Sequence, residues 1–143
     1  MPKMFFNKSL NNFRLSSRSQ KINLLKKLEV DFIIIKKFNK IFSKIKSTNF
    51  IKQVLYNKLN ARFIFVSNNF RFGNKREGDV KLLISLEENY NYKVIKPKPL
   101  IKSRKIISST LIRNFLEKGF LEKANKLLNR KWCVEGMVQK GRQ

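Results

Sequence analysis

Two kinds of apolar stretch alternate along the chain: segments with hydrophobic residues every three or four positions, and short, nearly continuous apolar runs. Ser16 and Ser17 can cap a helix whose Ile22, Leu24, Leu25 and Leu28 fall mostly on one face, and the run Phe32, Ile33, Ile34, Ile35 after Asp31 then reads as a buried strand. Residues 37 to 46 read as a basic loop. Ser47 or Thr48 is positioned to cap a second helix carrying Phe50, Ile51, Val54, Leu55 and Leu59, and residues 61 to 66, ARFIFV, form the next strand. Asn68 to Gly78 lacks any period and reads as a loop. Val80, Leu82, Leu83 and Leu86 predict a helix from Asp79 to about Tyr90, followed by a third strand at residues 92 to 95, YKVI.

Pro97 and Pro99 interrupt regular structure, and a basic segment KSRK leads to a helix capped within Ser108 to Thr110 that stops near Gly119. A short helix to about Leu128 follows, and Lys131 to Val138 alternates as an extended strand with no partner in the sequence. Short apolar strands separated by helix-length segments predict an α/β fold with a parallel sheet and right-handed crossovers. In such sheets ligands lie beyond the carboxyl ends of the strands. The loops leaving those ends, Ser67 to Gly78 and Lys96 to Ile107, are therefore where a site is expected.

The 143 residues suffice for one domain, and 42% hydrophobic residues with 13 Phe exclude a disordered chain. Lys and Arg number 33 against 9 acids, a net charge of +24 that draws anions of any kind. Lys predominates over Arg and is scattered along the length, so the charge carries no stripe for sequence reading; a small basic nucleic-acid-associated protein is kept only as the alternative function. The single Cys133 and the lack of His exclude an internal disulfide or a zinc cluster and fit the cytoplasm. No apolar run approaches a membrane span, so no membrane association is expected.

Two loops carry candidate chemistry. ISSTLIR, residues 107 to 113, places hydroxyls on the first turn of a helix with Arg104 and Lys105 before it and Arg113 one turn in, a combination suited to a polyphosphate; a plain helix cap with surface cations is the simpler alternative. SNNFRFGNKREGD, residues 67 to 79, sets Phe70 and Phe72 on one side if extended, beside Asn amides, which suits a planar ring unless both Phe fill the core. Gly73 and Gly78 permit unusual backbone angles.

With FRLSS before the first helix, Ser47 and Phe50, and the ending ANKLLNR, these motifs resemble the adenylyltransferase module of the prokaryotic bifunctional riboflavin kinase/FMN adenylyltransferases, the FAD synthetases, over residues 13 to 142. The family pattern is Gly-x-Asp/Asn-Phe-x-Phe-Gly with a later Gly-Asp, then Ser-Ser-Thr-x-Ile/Val-Arg. The resemblance implies a Rossmann-like nucleotidylyltransferase fold and FAD biosynthesis, in which AMP passes from ATP, with Mg2+, to the substrate FMN, giving FAD and pyrophosphate. It places Asn69, Lys105, Ser108, Ser109, Thr110 and Arg113 on ATP, and Phe72 and Phe50 on the flavin.

The sequence departs from the pattern twice. Ser67 stands where the family has Gly, and the family's Gly-x-Phe-Asp-Gly-x-His-x-Gly-His loop, which follows its first strand, has no counterpart in a chain without His. Catalytic residues therefore stay unassigned, and the chain alone is expected to be catalytically incomplete. WCVEGMVQKGRQ resembles the opening strand of the riboflavin kinase barrel. The expected organisation is a partial adenylyltransferase domain at residues 1–130 and the start of a truncated kinase barrel at 131–143, with the remainder of a split enzyme as a partner.

Overall fold

The computed structural model describes residues 5–7, 14–137 and 141. It consists of two compact units, one comprising Met1–Phe6 and Lys37–Pro99, the other Asn7–Lys36 and Leu100–Gln143.

The first unit is built on two parallel strands, β1 (Phe63–Phe65) and β4 (Lys93–Ile95), in the register Phe63↔Lys93, Ile64↔Val94, Phe65↔Ile95. Parallel pairing requires a crossover, and the residues between the two strands supply it with a hairpin, β2 (Arg71–Phe72) against β3 (Gly78–Asp79), and two helices, α4 (Val80–Ser85) and α5 (Glu87–Tyr90). Ile51, Phe72, Val80, Leu83, Tyr92 and Val94 form the core, with Ile64, Leu55 and Phe70 packed against it. Ile51 and Leu83 are fully buried, and each such side chain contributes about 1.5–3 kcal/mol.

The fold is mixed α/β with parallel strands, as the alternating pattern predicts, but several elements differ from expectation. The stretch 37 to 46 contains a helical turn, α2 (Lys40–Ser43), because the Asn39 side chain accepts the Phe42 N–H at 2.8 Å. Helix α3 begins as Ser47–Asn49 and continues over Phe50–Tyr56 with π-helical spacing, as in the Asn57 N–H to Lys52 C=O bond. Ser47 is its first helical residue and does not cap it. The expected helix from Asp79 to Tyr90 starts on the Asp79 carboxylate, which accepts from Leu82 N–H at 2.9 Å, but breaks at Leu86. There the Leu83 carbonyl takes both the Leu86 N–H and the Tyr92 hydroxyl, at 3.3 and 2.7 Å, which tightens the turn and ends α4. Burial raises the Tyr92 phenol to about 12, with the Glu87 charge and Tyr90 adding to the effect. Lys93 Nζ on one Glu87 oxygen at 2.6 Å and the Val94 N–H on the other at 2.7 Å hold that carboxyl below its ordinary range.

In the second unit α1 (Arg18–Lys26) opens with a reciprocal cap between Ser17 and Gln20. The expected strand at Phe32 to Ile35 does not form: no strand pairs with it among the described residues, and Phe32 and Ile34 are 87% and 71% exposed. A run of apolar residues becomes a strand only when a neighbour supplies the ladder. KSRK, expected to be irregular, turns a tight hairpin between β5 (Ile101–Lys102) and β6 (Lys105–Ile106), with Ser103 and Arg104 both at positive φ, 49° and 60°. Helix α6 (Ser109–Glu117) packs on α7 (Leu121–Leu128), Ile112 and Ala124 being their buried residues, and Gly119 at φ 76° ends the first of them. The expected strand from Lys131 does not form over 131 to 137, which join no sheet; Val138 lies outside the described residues. The backbone and side chains of this segment turn instead to the start of α1: Trp132 Nε1 donates to the Leu15 carbonyl at 3.0 Å, Arg130 to Ser16 Oγ at 2.7 Å, and Ser17 and Ser19 donate to Glu135 at 3.3 Å.

Candidate functional site

The loop Ser67 to Gly78, read as aperiodic, is the β2–β3 hairpin, and its two glycines fix where it sits. Gly73 has φ 77° and ψ −178°, and a Cβ there would lie 2.8 Å from Ser47 N, Cα and Cβ. A Cβ on Gly78 would lie 2.6 Å from Ser47 Cβ and 2.8 Å from Phe72 Cζ. Gly78 is thus required for space and not, as expected, for an unusual angle. Across this contact the Ser47 N–H donates to Glu77 Oε1 at 2.7 Å, so a carboxylate from the hairpin satisfies a helix start that lacks a side-chain cap of its own.

This clamp brings Phe50 and Phe72 together, with centroids 5.7 Å apart, and Phe70 stacks on Phe72 at 5.5 Å. Phe72 is only 8% exposed, while Phe50 and Phe70 are half-buried. Phe72 therefore lies in the core and shapes the loop from beneath, and the more accessible rings are its two neighbours. Asn69 is exposed and its Oδ1 accepts the Ser67 hydroxyl at 3.0 Å. Phe65, Val66, Ser67 and Pro97 line a shallow depression at the carboxyl ends of β1 and β4, the end where a parallel sheet offers its ligand crevice. Glu77 escaped the sequence reading. No signal in the sequence marked it, because Ser47 reads there as a cap and only the structure shows a helix start without one.

In the second unit the ISSTLIR segment forms the start of α6. Ser108 is the cap residue, its Oγ accepting the Leu111 N–H at 3.2 Å. Ser109 and Thr110 occupy the first turn with exposed side chains, and Arg113 lies half-buried one turn on. That first turn holds no acidic residue, so the positive end of the helix is not neutralised from within. Lys105 is exposed on β6, beside the turn that carries Arg104, and the Ile107 N–H bonds to the Leu100 carbonyl, joining the hairpin to the segment that enters α6. Ser108, Ser109, Thr110, Arg113 and Lys105 thus belong to one unit, and Asn69, Phe72 and Phe50 to the other.

Residues 1–111 match the family model described as FAD synthetase. The chain belongs to the FAD synthetase family. It is 40% identical over 141 residues to a bifunctional riboflavin kinase/FMN adenylyltransferase of Buchnera aphidicola subsp. Schizaphis graminum, covering 98% of this chain and 45% of that protein. The protein of the same description from Escherichia coli K12 is 30% identical over 90% of this chain and 41% of its own length. A FAD synthetase of Listeria monocytogenes is 32% identical over 89% of this chain and 51% of its own length. The chain thus spans about half the length of these relatives. A crystal structure titled as a macrolide-efflux protein from Streptococcus pneumoniae superposes with a TM-score of 0.73 at 21% identity, covering 90% of this chain and 49% of that one, which is a likeness of fold. Among the described residues no helix is long and apolar enough to cross a membrane.

Proposed function

We propose that this chain is the nucleotide- and flavin-binding portion of an FMN adenylyltransferase acting in the cytoplasm. In the reaction an FMN phosphate oxygen bonds to the α-phosphorus of MgATP, the bond from that phosphorus to the bridging oxygen breaks, and pyrophosphate leaves with the electron pair. Such a transfer depends on positioning and charge neutralisation. Ser109, Thr110 and the α6 N–H groups bind the ATP phosphates, Ser108 holds the helix start in shape, Arg113 and Lys105 offset the charge of the leaving pyrophosphate, and Asn69 contacts the nucleotide. Phe50 faces the flavin, and Phe72 acts on it through the loop it supports. Mg2+ enters as part of the MgATP substrate. The 143 residues contain no His, so the family's His loop is not among the groups they supply.

The observation that carries this reading is the start of α6, where a serine cap, two exposed hydroxyls and an acid-free first turn coincide with the family's Ser-Ser-Thr-x-Ile/Val-Arg pattern. Isothermal titration tests it, in a chain completed with the His loop. Arg113→Ala or Ser109→Ala is expected to weaken MgATP or pyrophosphate by about 1.5–3 kcal/mol, roughly ten- to a hundredfold, with FMN little changed. Phe72→Leu, which keeps most of the buried volume, should weaken FMN more than MgATP. Equal losses for both ligands in all three variants would refute the division of labour between the loops.

A further inference from the structure

The aromatic cluster of the first unit has two walls that come from different elements. Phe50 stands on α3, three residues after Ser47, while Phe70 and Phe72 belong to the segment that forms the β2–β3 hairpin and also carries Glu77. The bond from the Ser47 N–H to Glu77 Oε1 at 2.7 Å ties the start of one wall to the base of the other. Its two ends lie 30 positions apart in the chain, so no local preference holds them together.

Three further observations meet at this bond. A Cβ on Gly78 would press on both Ser47 and the Phe72 ring, so helix start, hairpin and ring touch one another. The cap position Lys46 makes no side-chain cap and the first turn of α3 contains no acidic residue, so the helix start takes its carboxylate from the hairpin. The spacing of α3 changes from α to π at Phe50 itself, and π turns are uncommon and recur at functional sites. Glu77 is exposed and adds nothing to the apolar core. Its carboxylate therefore acts on position and not on packing.

We propose that Glu77 is a positioning residue for the flavin: by holding Ser47 it sets the separation and tilt of Phe50 against Phe72, 5.7 Å and 49° between the rings. The inference rests on the reading of Phe50 as a flavin-side ring. With the bond in place the aromatic wall is formed before the ligand arrives, and ordering it costs nothing at the moment of binding. Without the bond, the start of α3 and the hairpin move independently and Phe50 loses its fixed partner. The groups assigned to pyrophosphate, Lys105 and Arg113, belong to the other unit, so the effect is selective for FMN.

The test uses the full 143-residue chain, with FMN affinity read by flavin fluorescence and pyrophosphate affinity by isothermal titration. Glu77→Ala is expected to raise the Kd for FMN about tenfold and leave pyrophosphate unchanged, while Glu77→Gln, whose amide oxygen accepts the same bond, stays within about twofold of wild type. Tyr92→Phe removes the buried bond to the Leu83 carbonyl and so loosens the same unit away from the clamp; it should leave FMN affinity unchanged. Hydrogen exchange without ligand reads the geometry by itself: the Ser47 amide should exchange about tenfold faster in Glu77→Ala and not in Glu77→Gln. Retained protection of the Val66 amide, bonded to the Ile95 carbonyl, certifies that each variant is folded. Where wild type binds FMN, an unchanged Kd or unchanged Ser47 exchange in Glu77→Ala, no rescue by Glu77→Gln, or an equal loss in Tyr92→Phe would overturn this inference alone. A wild-type chain that does not bind FMN would overturn the functional reading and the inference with it.

Discussion

Gly73→Ala and Gly119→Ala form a matched pair inside one molecule. Both glycines have nearly the same positive φ, 77° and 76°, but their surroundings differ. Nothing lies within 4 Å of a Cβ built on Gly119, whereas one on Gly73 meets the backbone of Ser47 at 2.8 Å. At Gly119 alanine should therefore cost only the left-handed penalty, about 1 kcal/mol. At Gly73 the φ/ψ pair belongs to a region used almost solely by glycine, costing about 1–3 kcal/mol. In addition the hairpin must withdraw from α3, which breaks the bond between the Ser47 N–H and the Glu77 carboxylate, worth about 1.5–3 kcal/mol. The sum is about 2.5–6 kcal/mol, or roughly 8–24 °C in Tm at this chain length, against about 3–4 °C for Gly119→Ala. The probes separate the units: Tyr56, Tyr90 and Tyr92 all lie in the first and Trp132 in the second. Near-ultraviolet dichroism of tyrosine should report the Gly73→Ala loss and Trp132 fluorescence the smaller Gly119→Ala loss. Equal shifts for the two variants would refute the close approach of hairpin and helix.

Tyr92 has its phenol raised from 10.0 to about 12 in the folded chain, so the unfolded chain loses that proton first and the associated stability disappears as pH rises from about 10 through about 12. Urea titrations across this range should show wild type losing stability relative to Tyr92→Phe, and parallel curves would contradict the burial argument. Glu77→Ala leaves the Ser47 N–H without its carboxylate and is expected to lower the first unit's stability by about 1.5–3 kcal/mol in urea unfolding, with Glu77→Gln restoring most of the loss. Trp132→Phe removes the donor to the Leu15 carbonyl; a loss of about 1 kcal/mol, read by hydrogen exchange in α1, should follow.

Local signals in this chain were legible where a short-range hydrogen bond decides the outcome. Ser17 with Gln20, Asp79 with Leu82, and Ser108 with Leu111 cap helices where the sequence places them, because each bond spans three residues and requires nothing from the rest of the fold. The alternation of strands and helices predicts the parallel pairing of residues 63 to 65 with 93 to 95 for a similar reason: the helix-length crossover between them is itself local. The motif around Ser108 to Arg113 and the FRFG segment pointed to the family because residue types at fixed spacing need no coordinates to be compared. Contacts between distant residues were decided elsewhere. Ser47 reads as a cap, yet it is the small residue against which Gly73 and Gly78 press, and the group that satisfies its N–H comes from Glu77, thirty positions on. Phe32 to Ile35 reads as a strand, but a strand exists only with a partner. Phe70 and Phe72 look alike in the sequence; the hairpin buries Phe72 and leaves Phe70 half-covered, because only the fold determines which ring faces Phe50 and the core beneath the loop.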